Sequence, residues 1–217
     1  MKGLIIKDFI NLKKNIKILG ALTLLYGFMS FAQEDASFFA SIFSMLFAIL
    51  LLSTYSYDDM SKWESFALTM PFQREMIVRG KYYVMLLLTL SGAAFSAIFT
   101  VILNVVLKKE DLLGGIQVSA VGAAIVVLYY CILIPFITKL GVEKARYVFF
   151  AIYVIPFIIG YMINKNLQNN SLKIPEALLE LGDLIMKNVY VIAPLALIAA
   201  LLISYNISVN IYKKKEF

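Results

Sequence analysis

The sequence predicts an all-α integral membrane protein. Of its 217 residues, 61% are hydrophobic and only 16% are charged, whereas soluble proteins carry about 25% charged residues. The charged residues are separated by long charge-free runs, and a run of roughly 20 apolar residues is enough for a helix to cross the bilayer. The composition therefore excludes a disordered, collagenous or ordinary globular protein, and we expect a single transmembrane domain over residues 1–217.

The charge-free runs predict six transmembrane helices, with five or seven as the alternatives. The first run is short, but Lys13, Lys14 and Lys17 before it can reach the interface with their charged ends while their stems stay in apolar surroundings. The predicted spans lie at about 18–33, 36–57, 82–107, 114–138, 147–164 and 188–211.

The distribution of basic residues predicts the orientation. Of the 20 lysines and arginines, fifteen fall on the same side as the N-terminus and five on the other, while the 14 acidic residues divide evenly. Because lysine and arginine are enriched in cytoplasmic loops, both termini are predicted to be cytoplasmic. The topology and attraction to anionic lipid then account for the net charge of +6. We therefore expect these charges to contact the lipid bilayer, and we expect no nucleic-acid partner.

Residues 1–17 are predicted to form an amphipathic helix at the cytoplasmic interface before the first span. A cleavable signal peptide fits poorly, because the charged region is long and patterned. A simple positively charged anchor that sets the topology is the alternative reading. The apolar residues of the segment and of its continuation recur at spacings of three and four: Ile5, Phe9, Leu12, Ile16 and Leu19.

The loop at 58–81 is predicted to contain two short helices. Ser61 and Glu64 have the spacing of a capping box, and Pro71 is predicted to end the first helix. A second helix is expected at 73–79. Exposed aromatic residues here would be costly in water unless a partner protein covers them, although contact with lipid headgroups alone is the alternative. The helical spacing of the first element is carried by Trp63, Phe66, Ala67 and Met70.

On the opposite side, the connection before the last span is predicted to hold a third amphipathic helix. Pro175 suits its first turn, and acidic residues occupy its other faces. The helix is too short and too acidic to span, so we expect it at the outer interface. Its apolar residues are Ile174, Leu178, Leu181 and Ile185.

The sequence offers no catalytic residues and no metal site. It has one cysteine, Cys131, and no histidine, and it has no G-x-x-x-x-G-K-[ST] phosphate loop. The predicted spans hold no ionisable residue of the kind that ion-coupled transporters use, and we expect their weak polar groups to form interhelical hydrogen bonds. If the protein moves a solute uphill, the energy must come from another polypeptide. The polar groups are Thr89, Ser96, Thr100, Asn104, Tyr153 and Asn206.

The chain resembles the ABC type-2 exporter permeases, which are membrane subunits that pair with a separate ATP-binding subunit. The opening carries a Lys7-Asp8 pair in a basic amphipathic stretch before the first span. The loop that follows the second span is more specific. It contains Tyr57, Asp58, Asp59, Trp63, the segment 68–71, Arg74, Ile77, Val78, Lys81 and Tyr82.

The resemblance implies that this loop forms a coupling helix, which docks on the ATPase. It implies no catalysis by this chain, with ATP and Mg²⁺ bound by the partner. It also implies a dimer, formed with a second copy or with a paralogue, in the plasma membrane of a bacterial cell. The residues expected to couple to the ATPase are Trp63, Glu64, Phe66, Pro71, Phe72, Arg74, Glu75 and Arg79.

The resemblance further implies a translocation path at the dimer seam, walled by the second and fifth spans. An aromatic, apolar wall suits an amphipathic or lipid-like cargo, although packing against neighbouring helices or lipid is the alternative for these residues. Among small members, the chain is similar to permeases that export phenol-soluble modulins or bacteriocin-like peptides. A different hypothesis is a membrane scaffold or immunity protein that binds peptides without moving them. The expected path residues are Phe43, Phe47, Tyr153, Phe157 and Tyr161.

Overall fold

A computed structural model gives the fold, and it describes residues 2–33, 36–70, 73–108, 112–168 and 189–215. These residues form helices joined by short turns, and none of them lies in a strand. The helix predicted at 174–185 lies outside the described residues. In chain order, the helices are α1 (Lys2–Leu12), α2 (Ile16–Ala32), α3 (Ala36–Met60), α4 (Trp63–Thr69), α5 (Arg74–Val106), α6 (Leu112–Leu140), α7 (Val142–Gln168) and α8 (Val189–Lys214).

Within the part of the chain that the structure describes, five helical segments are long and apolar enough to cross a membrane. A helix suits this environment because it satisfies its backbone hydrogen bonds internally, which lipid cannot do. The remaining predicted span coincides with α3, which has 25 residues, and its crossing of the membrane stays a prediction. The five segments are Lys2–Ala32, Arg74–Val106, Gly114–Leu140, Val142–Met162 and Val191–Lys214.

The N-terminal segment continues directly into the first span. One turn of 3₁₀-helix at Lys13–Asn15 joins α1 to α2, so the helical stretch runs from Lys2 to Ala32. A three-residue tightening of this kind keeps the chain helical while changing the rotation of the side chains that follow.

The buried face of α1 differs from the predicted apolar stripe. The residues that α1 buries are Leu4, Asp8 and Leu12, while Phe9 and Ile16 are exposed. Leu12 of the stripe lies in the hydrophobic core, and Ile5 and Leu19 pack against it, so the stripe is confirmed at these residues and wrong at Phe9 and Ile16. Asp8 is buried in an ion cluster described below, so the buried side of α1 includes a carboxylate that a count of apolar residues leaves out.

The second short helix predicted in the loop is the beginning of α5. This helix has 33 residues, which corresponds to about 50 Å at 1.5 Å per residue. A bilayer core is only about 30 Å thick, so α5 extends well beyond the hydrocarbon. The third span was predicted to begin at residue 82, but the helix continues through this position without a break.

The capping box predicted from Ser61 and Glu64 is absent at the start of α4. The Ser61 hydroxyl instead donates to the carbonyl oxygens of Tyr57 and Asp58, at 2.8 and 3.2 Å. Lys62, the N-cap of α4, has a φ of 50° and makes no side-chain cap. The prediction failed because α3 continues to Met60, which commits Ser61 to ending that helix.

The main core lies where α3, α5, α6 and α8 meet. It is built from the end of α3, the first half of α5, the last half of α6 and the end of α8, and the start of α7 closes it. Tyr130, Leu133 and Met85 are among the side chains that are almost completely buried. The connection from α6 to α7 turns at Gly141, where φ is +80°, a conformation that favours glycine.

The end of the bundle that holds this core also holds α1, α4, the first turns of α5 and the last turn of α8. We call it the charged end, because ion pairs join Lys7, Asp8, Asp58 and Lys81 there. Two more ion pairs join Glu75 to Lys213, in the last turn of α8, and Glu64 to Lys215, just after it. The opposite halves of α7 and α8 carry mainly exposed apolar side chains.

Helices α5 and α6 approach closely through small residues. The hydroxyls of Ser96 and Ser119 are 3.0 Å apart, and a Cβ at Gly115 would overlap the side chain of Thr100. Small residues let transmembrane helices pack at short range. Ser96 therefore forms the interhelical hydrogen bond that was predicted, whereas the hydroxyls of Thr89 and Thr100 donate to carbonyls of their own helix.

A second polar contact joins α5, α6 and α8. The Tyr82 hydroxyl lies 2.6 Å from Ser204 Oγ and 3.0 Å from Ser208 Oγ. Ser204 in turn donates to the carbonyl oxygen of Cys131. All three hydroxyl side chains are buried, so this contact fixes the position of α8 against the core.

Candidate coupling site

Six of the eight predicted coupling residues are described, and they lie on two elements of the charged end. The structure places Trp63, Glu64 and Phe66 on α4, and it places three more on the first turns of α5. Pro71 and Phe72 lie outside the described residues. The residues on α5 are Arg74, Glu75 and Arg79.

Helix α4 has one buried and one exposed side. Ala67 is fully buried and the Phe66 side chain is 54% exposed. The rings of Trp63 and Phe66 lie 5.6 Å apart, and Trp63 packs against the main core. The helix therefore presents a phenyl ring outward while the indole anchors it.

A cluster of four charged side chains lies at the base of α4. Lys81 Nζ is 2.7 Å from Asp58 Oδ2 and 3.1 Å from Asp8 Oδ2. Lys7 Nζ is 3.2 Å from Asp8 Oδ1 and is also bonded to Asp58. Each lysine thus bridges both aspartates, and the cluster joins α1, α3 and α5 with no net charge.

The cluster is continuous with α4 through its lysines. Lys7 Nζ lies 4.4 Å from the centroid of the Trp63 ring, and Lys81 Nζ lies 4.7 Å from the centroid of the Tyr55 ring. A cation over an aromatic face at these distances is attractive. Beside them is a cavity of about 20 Å³, which is room for roughly one water molecule.

The end of α8 holds α4 and α5 from the other side. The guanidinium of Arg74 donates to the carbonyl oxygens of Lys213 and Lys215. Two ion pairs add to this contact, between Glu75 and Lys213 and between Glu64 and Lys215. The predicted coupling charges therefore have partners within the chain, in addition to any role toward another protein.

The ion cluster was missed as a site. Lys7, Asp8, Asp58 and Lys81 had been noted for the resemblance they carry, but nothing in their spacing showed that they meet. In the sequence, Lys7 is adjacent to Asp8, Asp58 is followed by Asp59, and Lys81 lies between Gly80 and Tyr82. A charged residue at a position that apolar periodicity marks as buried was the available signal, and Asp8 between Leu4 and Leu12 fits it.

The family profile described as ABC-2 family transporter protein matches residues 3–213, which is nearly the whole chain. The chain belongs to the ABC-2 transporter family. No curated protein and no solved structure matches it. An ABC-2 permease is a membrane transport component and not itself catalytic, so the family match and the five apolar helices identify a multi-pass membrane protein. The family also implies, in general terms, an ATPase partner and dimerisation.

Of the expected path residues of this ABC-2 permease, the structure describes the side chains of Phe47, Phe157 and Tyr161, and these lie in different surroundings. Phe47 packs against the core and would lie 2.6 Å from a Cβ at Gly92. Phe157 and Tyr161 are 84% and 67% exposed on α7. The side chains of Phe43 and Tyr153 lie outside the described residues. Any wall shared by Phe47 and α7 would therefore have to form with another chain or with cargo.

Proposed function

We propose that this ABC-2 permease is the membrane subunit of an exporter that is driven by a separate ATP-binding subunit docked on α4. The observation that carries this proposal is the arrangement of α4. Phe66 is exposed at its surface, while Trp63, Glu64 and Ala67 fasten the helix to α1, α8 and the core. Helix α4 is thus fixed to the rest of the chain on one side and presents an aromatic ring on the other. This arrangement suits a helix that transmits a partner's movement to the membrane helices.

The same proposal assigns the chemistry of energy supply to the partner. ATP and Mg²⁺ would bind on the ATPase, and this chain would transmit the resulting movement. The contacts of Glu64, Arg74 and Glu75 with the end of α8 support this, because they join the docking region to a predicted transmembrane helix. Movement of α4 would then reach α8 as well as α5.

The proposed topology has six spans with both termini in the cytoplasm of a bacterial cell. The sequence supports it, since fifteen of the 20 basic residues fall on that side. A second permease, identical or paralogous, would complete the transporter. The exposed apolar surfaces of α2 and α7 are available for contact with this second permease and with lipid.

Thiol labelling tests this topology. In a Cys131→Ala background, cysteines introduced one at a time at Ser171 and Lys214 are exposed to an impermeant thiol reagent applied to whole cells. Only the first should label, and labelling at position 214 would rule out the six-span arrangement.

We propose amphipathic peptides, of the phenol-soluble modulin or bacteriocin type, as the cargo. The predicted fifth span supports this choice because it carries no charged residue at 147–164, and its exposed side bears Phe157 and Tyr161. An aromatic, apolar wall suits a cargo with an apolar face. A lipid-like cargo shares this chemistry, and the two are separated by whether peptide or lipid stimulates ATP hydrolysis by the purified complex.

Copurification with the ATP-binding subunit tests the proposed function. The purified complex should hydrolyse ATP faster when a synthetic amphipathic leucine-lysine peptide is added. Phe66→Ala should weaken retention of the ATPase by about 1 to 4 kcal/mol, the range of an interface hot spot. Phe28→Ala is the control, because this phenylalanine is also exposed, at 74% against 54% for Phe66, but lies on α2.

Three results would count against the proposal. Absence of any copurifying ATPase would favour a scaffold or immunity protein that only binds peptides. Stimulation by lipid but not by peptide would replace the proposed cargo. Equal ATPase retention by the Phe66→Ala and Phe28→Ala proteins would remove α4 as the docking element.

A further inference from the structure

The four charged side chains of the cluster at the base of α4 are unusually buried for lysine and aspartate. The exposed fractions are 4% for the Asp8 side chain, 7% for Asp58, 11% for Lys81 and 21% for Lys7. Lysine and aspartate are almost never fully buried unless they are paired. The cluster meets that condition, because each lysine pairs with both aspartates. Thr54 also accepts a hydrogen bond from Lys81 at 3.4 Å.

Burying charges costs desolvation energy, which their mutual attraction repays only when the geometry is favourable. Replacing such a group with apolar residues is often neutral or stabilising, so a cluster of this kind is weak evidence for stability. What the cluster does fix is position. If α1 moves away, Lys7 and Asp8 leave together, and Asp58 and Lys81 each lose one of their two ion-pair partners.

Lys7 and Asp8 belong to α1, which contributes few other anchors. Leu4 packs beside Gly80 of α5, within 3.6 Å of where a Cβ would lie, and Leu12 joins the main core. The outward residues of α1, including Ile6 and Ile10, are exposed. The charge cluster therefore supplies the specific part of the contact between α1 and the rest of the chain.

Lys7 also connects α1 to α4 directly. Its ammonium group is bonded to Asp58, near the end of α3, and lies over the Trp63 ring at 4.4 Å. The short connection between α3 and α4 includes Lys62 in a left-handed conformation. Asp58 on one side of this turn and Trp63 on the other thus share a single cation.

We propose that Lys7 and Asp8 are positioning residues for coupling: through the charge cluster, the N-terminal helix α1 holds α4 in the orientation from which it transmits ATP hydrolysis to the membrane helices. The inference rests on the proposed function. It adds that the charges of Lys7 and Asp8, and not only the apolar contacts of α1, set the orientation of α4. Loss of the Lys7 contacts should let α4 turn about Lys62, which uncouples hydrolysis from cargo while the complex stays assembled.

Tryptophan fluorescence tests the positioning step without the ATPase. The sequence contains one tryptophan, so the emission of the purified protein reports on Trp63 alone. Lys7→Met should shift this emission to the red and increase its quenching by acrylamide. Lys7→Arg, which keeps the cation, should restore the parent spectrum, and Lys13→Met is the matched control because Lys13 is exposed in the turn after α1.

A charge-balanced variant separates positioning from folding. Lys7→Met combined with Asp58→Asn removes one cation and one anion, which leaves the Asp8–Lys81 pair intact. In the complex with its ATP-binding subunit, we expect this double variant to keep the melting temperature and the amount of bound ATPase. Stimulation of ATP turnover by the leucine-lysine peptide should fall about fivefold or more, which is the lower range of allosteric coupling.

Either of two outcomes would overturn the inference. Unchanged fluorescence and full peptide stimulation in the double variant would show that Lys7 does not position α4. A loss of bound ATPase in proportion to a loss of melting temperature, without recovery by Lys7→Arg, would make the cluster a structural anchor. If the parent chain binds no ATPase at all, the proposed function fails, but the fluorescence measurement still decides whether Lys7 positions α4.

Discussion

Arg74 donates a hydrogen bond of 2.7 Å from its guanidinium to the carbonyl oxygen of Lys213. These residues are 139 positions apart, at the start of α5 and in the last turn of α8. The last four carbonyls of a helix have no partner within the helix. Arg74 therefore caps α8 from outside and ties the end of the chain to the candidate coupling site.

The first prediction is that Arg74→Ala loosens the end of α8 with a small effect on the whole fold. The residue is exposed, so we expect the free energy of unfolding to fall by only about 0.5 to 1.5 kcal/mol, as for a typical hydrogen bond. Digestion of the purified protein by a carboxypeptidase should become faster at the end of α8.

Arg79→Ala is the control for this measurement. Arg79 is also exposed on α5, but its Nε donates to the Tyr205 hydroxyl, at 3.3 Å, and not to the last turn of α8. If the Arg74→Ala and Arg79→Ala proteins lose the tail at the same rate, the cap has no role in holding it.

The second prediction concerns the Tyr82 hydroxyl. Tyr82→Phe keeps the ring but removes a group that lies within hydrogen-bond distance of both Ser204 and Ser208. Because a buried polar group left without a partner costs about 1 to 3 kcal/mol, the melting temperature in detergent should fall. Tyr83→Phe, on the exposed neighbour, should leave it unchanged, and equal melting of the two variants would contradict the role assigned to the contact.

The third prediction tests the close approach of α5 and α6. Gly115→Ala places a methyl group against the Thr100 side chain, and forcing extra volume into a packed interface costs about 1 to 3 kcal/mol. Gly160→Ala adds the same methyl group on α7, where no atom lies within 4 Å. Both changes gain the same helix propensity, so the difference in melting temperature isolates the clash. No difference between them would mean that the two helices do not pack as described.

The sequence predicts the helices well, because charge-free apolar runs are a direct consequence of the bilayer. It predicts the boundaries poorly where a helix leaves the membrane. Glu75 and Arg79 suggested a separate loop helix, yet they continue α5 without a break. The thickness of the bilayer limits the length of the apolar run, but it does not limit the length of the helix. The first charged residues therefore mark the membrane surface and not the end of the helix.

The contacts of the candidate site could not be predicted in the same way. Asp8 and Lys81 meet across 73 positions, and a pairing over such a distance leaves no periodic trace in either helix. Phe66 was predicted from the sequence because several aromatic residues at helical spacing in a charged loop would be costly in water without a partner. Local signals therefore found the outward ring of α4, while the charges that hold the helix in place required the fold.

The last prediction concerns Phe157 on α7. Its ring is 84% exposed, so Phe157→Ala should not carry the loss of about 3 to 5 kcal/mol that truncation of a packed phenylalanine causes. If the residue lines the proposed cargo path, the variant should assemble normally and show weaker stimulation of ATP turnover by the leucine-lysine peptide. Phe28→Ala, on a ring that is 74% exposed on α2, should behave like the parent protein.

A charge at the same two positions sharpens the contrast between cargo path and lipid. A lysine facing lipid at the centre of a helix costs about 2.5 to 3.5 kcal/mol on insertion, so Phe28→Lys should reduce the amount of membrane-inserted protein. Phe157→Lys should be tolerated if a hydrated path surrounds it, and it should mainly repel the cationic peptide. Poor insertion of the Phe157→Lys protein, together with a normal peptide response of the Phe157→Ala protein, would remove α7 from the path, because the ring would then face lipid.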